Sequence, residues 1–350
     1  MSERVSRPYF SGYRPTSPEG GPGLRIMAVH GASRIPASVQ PKPADYSYDL
    51  DRALAAVVSL SSRIPSDAFT AETLGTERAG NGVVIGEDGL VLTVGYLITE
   101  ADSVWLTTHD GRSLPAHVVG YDAATGFGLV QALGRLDLPA LTIGRSAALK
   151  VGDKAIVAGA GGRGHSVAVE LVARQEFAGY WEYLLDEALF TAPAHPHWGG
   201  TALIGPEGDL LGIGSLQLQQ GGSGRAQAIN MVVPIDLLPP ILDELRLQGR
   251  TSSPPRPWLG LYATETEDGV VVMGLADDGP AQAADLRPGD ILSAVAGEPV
   301  ADLAGFLRQV WALGEAGARV PLGVRRDGRD VAVSVMSGDR ERYLVRPKLH

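Results

Sequence analysis

The 350-residue chain contains no cysteine. That excludes a disulfide framework, a cysteine nucleophile and a thiolate metal site. Positive charge is scarce as well: 30 Lys and Arg stand against 40 Asp and Glu, a net charge of −10. Nucleic acid and anionic membranes both select basic faces, so neither is an expected partner. No run reaches the ~18 apolar residues of a transmembrane helix, and no membrane span is expected. Residues 1–25 hold no apolar stretch of the ~7–15 residues that a secretory signal needs. The expected location is therefore cytoplasmic, or the cell envelope if the start of the chain is misassigned.

Glycine, in contrast, is abundant. The chain has 45 Gly and 24 Pro. Both residues break helix interiors, so the composition points to many turns and short strands. At ~100–200 residues per domain, the length predicts about two domains.

Residues 1–45 form a Pro-rich arm with six Arg or Lys against three Asp or Glu. Such a segment does not bury enough apolar surface to fold alone. Tyr9, Phe10 and Tyr13 make it a candidate anchor for a larger protein complex. Residues 46–250 carry repeated strand signals. Apolar runs flank Asp88-Gly89 and Asp110-Gly111, and a D-G pair between such runs marks a hairpin. Further strands are expected at 128–133, 154–160, 166–174, 201–219 and 228–234. Residues 234–250 are expected to be a helix capped by Gly249. Residues 251–257, rich in Pro and Ser, form a linker. A second domain is expected over 258–346.

Within that second domain, GPAQAADLRPGDILSAVAGEPV (279–300) resembles the core of a PDZ domain. Pro280, Ala281, Ala284, Leu286, Gly289, Asp290, Ile291, Val295 and Gly297 match the family pattern. Gly279 and Asp285 depart from it. The resemblance implies β-augmentation by an extended peptide, with a C-terminal carboxylate held in a backbone nest. The carboxylate loop maps onto Trp258, Leu259, Gly260 and Leu261, opposite a helix at 303–314.

A β-rich domain ahead of a PDZ domain resembles the HtrA/DegP group of trypsin-like serine proteases. The stretches 80–93, 122–130, 139–146, 199–213 and 228–236 carry the likeness. The implied architecture is mainly β: a trypsin-like double β-barrel followed by a C-terminal PDZ domain, a β-sandwich with two helices. The resemblance also implies that a homo-oligomer is within reach.

The positions that carry chemistry in that family are substituted here. Tyr96 stands at the position of the histidine base, Gly126 at that of the orienting acid, and Trp198 at that of the serine. A serine nucleophile needs a base, and the base needs an acid to orient it. Pro196 falls where an oxyanion-hole amide is required, and proline has no N–H. The resulting expectation is a pseudoprotease, not an enzyme, that serves as a peptide-binding scaffold or assembly subunit. No cofactor is expected. Two alternatives stand beside it. One is a serine endopeptidase with residual or rewired activity, for which Thr201 and Ser215 are the nearby hydroxyls. The other is a metal-binding module at His195 and His197, two loop histidines otherwise facing solvent, with Asp186 or Glu187 as a third donor.

Overall fold

The computed structural model describes residues 35–220 and 227–345. Most of the 1–45 arm therefore lies outside the described residues, as do 346–350. Of the arm, 35–45 packs as two short 3-10 turns, with Ile35 buried against the barrel strands.

The helix α1 (Leu50–Ala55) opens the fold, capped by Asp49, whose carboxylate accepts from Arg52 N–H. It runs straight into β1 (Val57–Arg63), and a short α2 (Ala71–Leu74) follows. Then come β2 (Glu77–Val84), β3 (Leu90–Val94), β4 (Ser103–Thr107), β5 (Ser113–Tyr121) and β6 (Phe127–Ala132). These close into a barrel in the order β1-β2-β3-β6-β5-β4. The expected hairpin turns are present: Gly89 and Gly111 both have positive φ, a conformation glycine adopts at little cost.

A second barrel uses β7 (Lys154–Ala158), β8 (Ser166–Gly179), β9 (Tyr183–Ala192), β10 (Ala202–Ile204), β11 (Leu210–Gln220) and β12 (Gln227–Pro234). Its order is β10-β11-β12-β9-β8-β7. Leu97, Ile98, Phe127 and Phe190 are among the fully buried side chains at the centre of the two barrels. The helix expected over 234–250 is shorter than its pattern. A 3-10 turn at Ile235–Leu237 precedes Pro239 and Pro240, and α3 (Leu242–Gln248) begins only after them. The prolines lack the N–H that a continuous helix would need.

The C-terminal unit contains β13 (Leu261–Thr266), β14 (Gly269–Leu275), α4 (Pro280–Ala283), β15 (Ile291–Val295), β16 (Glu298–Pro299), α5 (Leu303–Trp311), β17 (Arg319–Arg326) and β18 (Arg329–Met336). Its sheet runs β13-β14-β15-β17-β18, with β16 beside β15. The side chain of Asp302 caps α5 through Gly305 N–H, and α5 lays Phe306, Leu307 and Val310 on the sheet. Among the described residues no helix is long and apolar enough to cross a membrane.

Candidate functional site

Two places bring candidate residues together. The first is the cleft between the barrels. Tyr96 lies in the 3-10 turn after β3, and its hydroxyl donates to the Ser215 carbonyl at 2.8 Å. Burial pushes its phenol well above the ordinary range, opposed by a hydrogen bond with the Trp198 side chain. Gly126 is tied to the first residue of that turn, its carbonyl accepting from Gly95 N–H at 2.7 Å. Tyr96 thus lies between Gly126 and Trp198. A protonated phenol held on a carbonyl does not serve as a base at neutral pH. The hydroxyl of Thr201 donates to the Trp198 carbonyl at 2.8 Å.

The loop bearing Trp198 is held from three sides. Asn81 donates its side-chain amide to the carbonyls of His197 and Gly199, and accepts from Ala160 N–H. Gly200 has φ +75°, and a Cβ there would stand 1.9 Å from the Asn81 carbonyl oxygen. His195 supplies the third hold. Its Nδ1 accepts from His197 N–H at 3.0 Å, which assigns the proton to Nε2, 2.9 Å from the His165 carbonyl. Burial lowers this imidazole from 6.5 to about 4. The reading of His195 as a solvent-facing loop residue is corrected: it is 2% exposed, with both ring nitrogens engaged. Neither nitrogen is free for a metal. The supposed third donors are also spoken for: Asp186 pairs with Arg308, and Glu187 with Arg174.

The second place is the start of β13. The N–H groups of Leu259, Gly260 and Leu261 all point at one carboxylate, that of Glu182. The distances are 2.9, 2.7 and 3.1 Å respectively. Gly260 has φ +72°. That left-handed residue turns consecutive amides toward a common point, forming an anion nest. Trp258 does not share this role. Its N–H donates to Gly338, and its ring is buried against Phe69 and Tyr343. Glu182 tips the β8–β9 hairpin, so the nest belongs to one domain and its carboxylate to another. Burial raises the Glu182 carboxyl to about 7, against the pull of the three amides. Sequence reasoning missed Glu182 and Asn81; Glu182 lies in no motif, Asn81 fills an unspecified position of the 80–93 stretch, and each acts across long chain separations.

Residues 80–213 match the family described as Trypsin-like peptidase domain, and 257–336 match PDZ domain. A protein of Pseudomonas fluorescens named "Probable periplasmic serine endoprotease DegP-like" is 29% identical over 275 residues, covering 75% of this chain and 56% of that protein. One of the same name from Halomonas elongata is 29% identical over 273 residues, covering 74% and 56%. The chain is similar to HtrA/DegP-like proteins, with a trypsin-like peptidase domain followed by a PDZ domain. The HtrA-like chain spans about half the length of these relatives. The solved structure "HtrA-type protease AlgW with decapeptide" shares its fold, with a TM-score of 0.51 and 24% identity over 85% of this chain and 98% of that one.

These relatives overturn two expectations. The expectation that the chain is not an enzyme fails, because the similar proteins are named serine endoproteases. The cytoplasmic location fails on the same names, which place those proteins in the periplasm.

Proposed function

We propose that this HtrA-like chain is a periplasmic peptide-binding protein whose PDZ domain captures the free C-terminal carboxylate of a protein or peptide. The observation that carries this reading is the nest of Leu259, Gly260 and Leu261, three amides converging on one carboxylate. The periplasmic location and the scaffold or assembly role rest on likeness to the relatives and on the two-domain layout. Residues 1–45 and self-association would contribute to assembly.

The test is calorimetric titration of the full chain with a decapeptide ending Ala-Gly-Tyr-Trp-Val, as free acid and as C-terminal amide. The last residues keep the aromatic pair of the hairpin tip and place an α-carboxylate after it. Binding of the acid and not of the amide supports the reading. Equal binding of both refutes it, because a nest of N–H donors discriminates by charge.

A second reading concerns hydrolysis. Tyr96, Gly126 and Trp198 are proposed to stand at the triad positions, with Pro196 at the lost oxyanion donor. Peptide cleavage by this chain then runs through a nucleophile other than residue 198. Labelling with a fluorophosphonate, followed by mapping of the modified residue and a casein assay, identifies that nucleophile. A label within 193–200 would refute the assignment.

A further inference from the structure

The β8–β9 hairpin treats the PDZ groove as a peptide would. Three features coincide. The Glu182 carboxylate fills the amide nest. The Tyr180 carbonyl accepts from Ala263 N–H at 2.9 Å, a strand-addition bond to β13. Leu184, in turn, is buried in the same apolar cluster as Leu259, Leu261, Phe306 and Leu307. Arg308 of α5 then grips both arms of the hairpin, pairing with Glu176 on β8 and Asp186 on β9. The groove between β13 and α5 is therefore filled from within the chain.

We propose that residues 180–182 are an internal pseudo-ligand of the PDZ domain, with Glu182 standing in for a C-terminal carboxylate. A peptide must displace the hairpin tip to bind. This rests on the peptide-binding reading above and adds the competitor, its residues and the step that opens the site. Glu182 is suited to exchange. It sits at φ +61°, a conformation disfavoured for a residue with a Cβ. Burial also works against its charged form. A ligand whose site is open only a fraction of the time binds weaker by that fraction.

The experiment compares wild type with Glu182→Ala and with Glu182→Ala/Arg308→Ala, all as full chains. The probe is the fluorescein-labelled free-acid decapeptide, followed by anisotropy. Hydrogen exchange of the Leu259, Gly260 and Leu261 amides is measured without peptide. The proposal predicts about 10-fold tighter probe binding by Glu182→Ala, and more by the double variant. It also predicts faster exchange at the three amides, restored to slow exchange by the probe. Equal affinity in all three proteins, with unchanged exchange, overturns the internal ligand and leaves peptide binding standing. No binding by any of the three overturns both.

Discussion

Acid should loosen the loop that carries Trp198, and His195 sets the size of the effect. The perturbation is a shift from pH 7.5 to pH 5. Unfolded, the imidazole titrates near its ordinary 6.5; folded, it titrates at about 4. Between these values the unfolded chain holds the extra proton. Stability therefore falls as pH falls through that window. The two values give a loss of about 2 kcal/mol by pH 5. Below pH 4 both states are protonated, and the loss levels off at about 3 kcal/mol. The geometry explains the sign. Protonating Nδ1 removes the acceptor of His197 N–H, and a charge is left 2% exposed. The assay is urea unfolding at several pH values, for wild type and His195→Asn. The asparagine oxygen keeps an acceptor near the Nδ1 position and does not titrate. The variant should be less stable at pH 7.5, yet lose about 2 kcal/mol less than wild type on going to pH 5. Parallel pH dependence in the two proteins would refute the reasoning.

Other outcomes follow from the same contacts. Gly200→Ala should cost about 3 kcal/mol or more, because its Cβ meets the Asn81 backbone at 1.9 Å; thermal melts check it. Gly126→Ala should cost about 1–2 kcal/mol in urea unfolding, since φ is +83° and a Cβ would meet the Tyr183 hydroxyl at 3.0 Å. Arg78→Met should cost about 3–5 kcal/mol, because the buried guanidinium donates to the carbonyls of Tyr96 and Thr99 and to Thr70. The same variant should speed hydrogen exchange at Ile98 and Thr99, whose turn carries Tyr96.

The barrels were legible where local chemistry sets them. Asp88-Gly89 and Asp110-Gly111 name their own turns, and the strands on either side follow. β9 was not legible. Its sequence YLLDEALFTA is rich in Leu, Ala and acids, lacks alternation, and is buried on both faces over most of its length. The helix at 234–250 was overextended, because its apolar spacing continues through Pro239 and Pro240. The residues proposed for the triad positions, Tyr96, Gly126 and Trp198, are read from the sequence alone. Their meeting in one cleft is a product of the two barrels closing together. His195 shows the limit most clearly. A loop histidine flanked by Pro193 and Pro196 reads as exposed, and only tertiary packing places it under the His165 carbonyl. Glu182 could not be read at all. Its partners lie 77 to 79 residues away, in a second domain, and no spacing rule joins them.

The central claim is that three consecutive amides grip the end of a peptide. Amide resonances of the isotopically labelled full chain, titrated with the free-acid decapeptide, test this most directly. The account predicts that Leu259, Gly260, Leu261 and Ala263 shift together and that the amidated peptide leaves them in place. Shifts elsewhere with these four unmoved, or the same response to both peptides, would contradict it.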